Sequence, residues 1–290
     1  MIPGAFTYHS PRTLEEAMAL LGNLGDDAKI LAGGQSLIPA MRFRLAMPEH
    51  LIDLGGLDGL AYVREDAGFL RIGAMTREAD LEAATVVQQR YSLLADTAHV
   101  IADPLVRNLA TVGGNLAHAD PANDHPATML AYAAEVEARS PTGSRTIKID
   151  DFFTGLFENA LEPGEILTEI RIPAPQPGAG GAYRKLERKV GDYAVSAAAV
   201  QLRVQGGRVS AARIGLTNVS PVPLRATGAE QAILGQAITD DCLAAAARAA
   251  SEECDPSPDL RGSVAYKRDI TGVMVRRAIE KAAARAGGAS

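Results

Sequence analysis

Two glycine pairs, far apart in the chain, place the strongest constraint on what it folds into. Ala32-Gly33-Gly34-Gln35-Ser36 closes an apolar run, Ala28-Lys29-Ile30-Leu31, that reads as a buried strand entering a turn. Thr111-Val112-Gly113-Gly114-Asn115 has the same character, and Thr111 and Asn115 add side-chain hydrogen-bonding groups around its glycines. Glycine admits positive φ and lets main-chain N–H groups approach an anion closely, and successive N–H groups in such a turn form a nest for phosphate. Neither pair belongs to a G-x-G-x-x-G fingerprint or a P-loop, so a dinucleotide bound here would not use the doubly wound topology. Each pair alone is explained by a tight turn. Together they offer two sides of a pyrophosphate clamp.

The rest of the chain reads as α+β. Thr13 and Glu16 form a capping box ahead of a helix whose apolar stripe is Leu14, Met18, Leu20 and Leu21. With a second short strand at 51–54, residues 1–56 read as a small α/β unit. Residues 57–177 hold a strand at 70–74 and helices at 76–84 and 92–101. A hairpin of 136–139 with 146–149 follows, then a strand at 166–172 that stops at Pro173. Pro173 to Gly181 is the clearest linker, so a domain boundary is expected near residue 178. Residues 178–290 then read as a smaller α+β domain. It has a three-stranded antiparallel sheet (182–189, 196–204, 208–218) and helices, the last over 263–284 before a Gly-Ala tail.

Composition narrows the function classes. The formal net charge is -6 with both signs interspersed and no basic block, which argues against nucleic acid. No stretch approaches the roughly 20 apolar residues of a membrane span, and Met1 to Phe6 shows no secretory pattern, so a cytoplasmic protein is expected. Cys242 and Cys254 are too few for an iron–sulfur cluster, which takes about four thiolates, and they read as ordinary core thiols. His99, His118 and His125 read as structural, and Asp150-Asp151 as a turn rather than a metal site. Arg42 and Arg44 form a basic pair after the first glycine loop. Asp124 has two readings: N-cap of a helix over 127–134, or acceptor for ligand hydroxyls.

The motifs resemble those of the FAD-binding subunit of molybdenum hydroxylases, the xanthine dehydrogenase family. The likeness runs through Phe6-Thr7-Tyr8-His9-Ser10-Pro11, Ala32 to Pro39, Arg107 to Asn115, Pro163-Gly164-Glu165-Ile166-Leu167 and Arg188 to Ala194, covering nearly the whole chain. Within the family, the length and Gly191-Asp192-Tyr193-Ala194 are most similar to the medium-subunit branch of aerobic carbon monoxide dehydrogenases.

This resemblance implies the FAD-binding fold of vanillyl-alcohol-oxidase/para-cresol-methylhydroxylase-type flavoenzymes. It also implies site residues. Lys29, Ile30, Leu31, Ala32, Gly33, Gly34, Gln35 and Ser36 would wrap the pyrophosphate and nearby flavin, with Ala110, Thr111, Gly113, Gly114 and Asn115 closing from the other side. Asp124 would take ribityl or ribose hydroxyls, Ile166 or Leu167 would pack near the adenine or ring system, and Tyr193 would lie against the isoalloxazine. Val195 stands where animal relatives carry a lysine. No residue is assigned as catalytic or as a metal ligand.

The implied role is electron relay, from 2Fe-2S clusters on a small partner subunit to an external acceptor such as quinone. Molybdopterin resides on a large partner subunit, in a dimer of heterotrimers. The complex would be cytoplasmic, peripheral to the inner face of the membrane.

Overall fold

The structure is a computed structural model that describes residues 2–287. The last two residues of the Gly-Ala tail and Gly288 lie outside the described residues. The chain opens with β1 (Thr7–His9), α1 (Leu14–Leu24), β2 (Ala28–Leu31), α2 (Leu37–Arg42) and β3 (His50–Asp53). The three strands form one parallel sheet in the order β1-β3-β2. The Thr13 side chain accepts the Glu16 N–H at 3.1 Å, as a capping box requires. The reciprocal bond is displaced by one residue, because the Glu16 carboxylate accepts from the Arg12 N–H at 2.8 Å. β1 is absent from the sequence reading. Its residues are largely exposed and carry no apolar alternation, so pairing with β3 alone makes it a strand.

The chain then runs through β4 (Val63–Asp66), β5 (Phe69–Gly73), α3 (Glu78–Ala83), α4 (Thr85–Arg90), α5 (Ser92–Val100), α6 (Pro104–Arg107), α7 (Val112–His118) and α8 (Asp124–Tyr132). β6 (Glu135–Ser140), β7 (Gly143–Lys148), the short pair β8 (Phe153–Gly155) and β9 (Glu158–Asn159), and β10 (Ile166–Pro173) follow. β4-β5-β10-β6-β7 make an antiparallel sheet of five strands. The expected hairpin is β6 with β7. Inward-facing Leu70, Ile72, Val136, Ala138, Ile170 and Ile172 are buried beneath the α3–α8 helices, in the alternation of a sheet with one covered face.

β11 (Ala179–Leu186), β12 (Ser196–Gln205), β13 (Arg208–Thr217) and β14 (Leu224–Arg225) form the next sheet, and α9 (Thr227–Ile233), α10 (Asp240–Glu253) and α11 (Val264–Ala286) complete the chain. The sheet holds four strands, not three. β14 has two residues, too short for a periodic signal. The expected linker is also shorter than read, because Gly180 and Gly181 are inside β11. They mark close packing rather than flexibility. A Cβ on Gly180 would lie 2.9 Å from the Ala286 Cβ on α11, and one on Gly181 would lie 2.8 Å from the Leu93 Cβ on α5.

α8 is the pivot between the two halves. All its residues are buried. It packs against β12, β13 and β14 on one side and against α5, α7 and β10 on the other. A second tie lies at the edge of the sheet. Asp96 on α5 accepts from Lys281 Nζ at 2.8 Å, from Arg285 Nη1 at 2.8 Å, and from the Tyr183 N–H at 3.2 Å. Burial by itself would raise the Asp96 pKa, but the bonds from Arg285 and Lys281 outweigh it and hold the carboxyl below its ordinary value. A depressed carboxylate stabilises the fold above its unfolded pKa and loses that contribution as pH falls through the folded one. Asp96→Ala should therefore cost about 2 kcal/mol at neutral pH, and the difference from the parent should shrink as pH falls below about 4. Urea unfolding at both pH values measures this. A difference that persists undiminished in acid would show that the charge is not its source.

Candidate functional site

β2 delivers the chain into the first glycine loop. Gly34 has φ of 72°, which a side chain would strain. The loop is braced by Ile38 N–H to Gly34 O at 3.0 Å and by the Gln35 side chain to Gly33 O at 3.4 Å. The backbone N–H groups of Gly33, Gly34, Gln35 and Ser36 have no acceptor among the described residues. Consecutive unpaired donors on a half-buried loop are what an anion nest requires. Lys29 on β2 is exposed, while Ile30 and Ala32 lie against the core cluster around Ile52 and Leu54.

The second glycine pair is not a turn. Gly113 and Gly114 sit in the first turn of α7, and neither has positive φ. The N–H groups here are already used. Val112 donates to Thr76 O (3.0 Å), Gly113 to Ala74 O (2.9 Å), Gly114 to Thr111 Oγ1 (3.2 Å) and Asn115 to Thr111 O (2.9 Å). Gly113 is small because α7 rests directly on the end of β5: a Cβ there would lie 2.8 Å from the Ala74 Cα.

The two motifs do meet. A Cβ on Gly33 would overlap the Leu109 carbonyl and lie 2.7 Å from the Ala110 Cα, and one on Gly114 would lie 3.5 Å from the Ala32 Cβ. The open nest of the first loop thus faces a helix start whose remaining offer is a side chain. That side chain is Asn115, whose Oδ1 is shielded from solvent with no partner among the described residues. A buried amide oxygen without a donor is costly unless a ligand supplies one. The Asn115 carbonyl is held by Asn123 Nδ2 at 3.0 Å, and α7 further by Asn159 Nδ2 on Ala117 O at 2.7 Å.

Asp124 is placed differently from its N-cap reading. Asn123 occupies the N-cap position and Asp124 is the first helical residue, 6% exposed and turned inward. Tyr183 Oη donates to its Oδ1 at 2.6 Å, and Lys185 Nζ donates to its Oδ2 at 3.0 Å and to Val100 O at 3.1 Å. Burial raises the Asp124 pKa, opposed by Lys185 and Tyr183. Burial, with the adjacent carboxylate, pushes the Tyr183 phenol well above its usual value. Tyr183 and Lys185, unmarked in the sequence reading, had a signal: a lysine two residues from a tyrosine on one strand face must find an acid when that face is covered.

Ile166 and Leu167 are 3% and 5% exposed. Ile166 shares a core cluster with Ala28, Ile30 and Ala32, and Leu167 lies in the larger core. Tyr193 is 43% exposed. Partial burial and the nearby Asp120 carboxylate raise its phenol pKa. Val195 is buried and its N–H bonds to Leu186 O at 2.7 Å, so no side chain from this position faces solvent. His125 is wholly buried against Glu78 at 2.8 Å, His99 lies on the surface of α5 beside Glu82, and Asp150 pairs with Arg213 at 2.6 Å.

Unpaired loop N–H groups, a neighbouring helix start with an open amide oxygen, and an exposed aromatic, assembled without a Rossmann crossover, are compatible with a site for a nucleotide cofactor. Comparison with known families agrees. Residues 4–175 match the family "FAD binding domain in molybdopterin dehydrogenase" and residues 181–282 match "CO dehydrogenase flavoprotein C-terminal domain". The chain belongs to the FAD-binding medium subunits of the molybdenum hydroxylases, and its cofactor is FAD. It is 49% identical to the carbon monoxide dehydrogenase medium chain of Hydrogenophaga pseudoflava, covering 98% of this chain and 99% of that protein. It is 46% identical to the corresponding chain of Afipia carboxidovorans, covering 99% of each. A solved structure of the Hydrogenophaga pseudoflava carbon monoxide dehydrogenase lacking the Mo-pyranopterin moiety superimposes with a TM-score of 0.96 at 51% identity, over 98% of this chain and 99% of that one. Among the described residues no helix is long and apolar enough to cross a membrane.

Gly33→Ala should separate the two motifs and weaken FAD binding by at least about tenfold while leaving the far C-terminal sheet folded. Flavin fluorescence titration measures the affinity and circular dichroism the fold. Parental FAD affinity in this variant would show that the contact between the motifs is dispensable.

Proposed function

We propose that this chain is the electron-relay subunit of an aerobic carbon monoxide dehydrogenase. The observation that carries the reading is end-to-end identity of 49% and 46% to two such medium chains, together with both glycine motifs meeting at one site. In this reading the N–H groups of Gly33 to Ser36 hold the FAD diphosphate. Thr111 and Gly113 keep α7 seated, and Asn115 Oδ1 accepts from the cofactor. Lys29, Ile30, Leu31, Ala32, Ala110 and Gly114 shape the walls of the groove. Ile166 and Leu167 back the adenine end, Asp124 orders the hydroxyl-bearing segment, and Tyr193 covers one face of the ring system. FAD, when bound, accepts single electrons and delivers them in pairs.

The remaining parts follow the same reading. The fold is of the vanillyl-alcohol-oxidase type, with the boundary between domains near residue 178. A small subunit with 2Fe-2S clusters feeds electrons in, a large molybdenum subunit oxidises substrate, and a quinone takes electrons out. The assembly is a dimer of heterotrimers, cytoplasmic and peripheral to the membrane. Cys242 and Cys254 take no part in electron transfer, since both are buried thiols at α10, and burial lifts Cys254 to about 11.

The test is anaerobic. The chain assembled with its small and large partner subunits should lose its oxidised-flavin absorbance on addition of carbon monoxide, and the chain alone should not. Bleaching by a purine or N-heterocycle instead would move the complex to another molybdenum hydroxylase. Bleaching of the isolated chain by a small substrate would make it a stand-alone flavin oxidoreductase.

A further inference from the structure

Tyr193 is held from behind by a group that no family motif marks. The Arg261 guanidinium lies over its ring, with Cζ 5.5 Å from the centroid. Arg261 Nη2 also bonds to Asp192 Oδ1 at 2.6 Å, and the same oxygen accepts the Tyr193 N–H at 2.8 Å. One carboxylate oxygen therefore fixes both the backbone of the tyrosine and the cation stacked on its ring. The Arg261 side chain holds Asp192 below its ordinary pKa, so this link is charged at neutral pH. Arg261 Nε is shielded from solvent and has no partner among the described residues.

Both ends of this arrangement are anchored. The Arg261 N–H is held by Asp259 Oδ1 at 2.8 Å, and Asp259 Oδ2 pairs at 2.9 Å with Lys267, which is almost wholly buried on α11. On the other side Gly191, at φ of 82°, lets the loop approach Ala102 so closely that a Cβ would lie 2.9 Å from its carbonyl oxygen. The loop carrying Tyr193 therefore spans from α11 to the segment ahead of α6. With a guanidinium on one ring face, the opposite face is left for a planar ligand, and a ring already oriented loses less side-chain freedom when that ligand binds.

We propose that Asp192 and Arg261 form a clamp that orients Tyr193 against the flavin, making Arg261 a positioning residue of the cofactor site. The proposal rests on Tyr193 lying against the ring system, and its test separates the two. Arg261→Gln, Arg261→Lys, Asp192→Asn, Tyr193→Ala and the Arg261→Gln/Tyr193→Ala pair are compared in the full chain assembled with its partner subunits. The readouts are FAD dissociation constant, emission of the bound flavin, visible circular dichroism and thermal midpoint.

Arg261→Gln should weaken FAD by about threefold to tenfold and brighten the bound flavin, as a stacked tyrosine quenches it. Arg261→Lys should recover part of the loss, and Asp192→Asn should resemble Arg261→Gln. In the Tyr193→Ala background, Arg261→Gln should change nothing further. Equal losses with and without Tyr193 would overturn the clamp, as would parental emission and affinity in Arg261→Gln. If Tyr193→Ala itself leaves emission and circular dichroism of bound FAD unchanged, the placement of Tyr193 fails, and the clamp with it.

Discussion

The site depends on one buried carboxylate. Asp124 is removed from water at the start of a wholly buried helix, a position that no ion occupies stably without partners. Lys185 and Tyr183 supply them from an adjacent strand, and Lys185 also reaches the end of α5. This fixes α8 in rotation and height. Asn123, next to Asp124, then reaches the Asn115 carbonyl, so the position of α7 follows from an ion pair on α8. Withdrawal of either Lys185 or Tyr183 leaves a carboxylate buried with half its partners, which is why the four-stranded sheet is coupled to α8.

Two motifs that look alike do different physical work. The first keeps its backbone donors free. The second uses its donors to dock α7 on β5, and its glycines serve contact rather than turning. The pairing makes sense energetically. A free nest needs a rigid neighbour to hold it open, and the backbone contact of Gly33 with Leu109 and Ala110 provides one. Arg77, whose guanidinium bonds to the Leu109 carbonyl, supports that neighbour from the other side.

Much of the architecture was legible locally. The capping box at Thr13, the hairpin of β6 and β7, the stop at Pro173 and the long final helix all rest on short-range rules: side-chain caps, alternation, and proline's missing N–H. What escaped notice shares another cause. β1 and β14 are strands by virtue of their neighbours, with too few residues for a period. Gly180 and Gly181 resemble a linker by composition but are held in a strand by α5 and α11. The turn-like reading of Gly113-Gly114 failed for the same reason, since α7 is placed by Ala74, Thr76 and the Thr111 cap.

The sequence by itself offered two glycine motifs without a Rossmann fingerprint, and it was their resemblance to the family, with Thr111, Asn115 and a tyrosine loop in order, that named FAD as the cofactor. Tertiary structure decided which donors remain open, which way Asp124 turns, and what stands behind Tyr193. The physical reason is separation along the chain. Asp124 meets Tyr183 across 59 residues and Asp192 meets Arg261 across 69, distances over which no local propensity carries information. Periodicity and capping act within a turn or two. The partners of a buried charge are chosen by whichever strand packing brings alongside it.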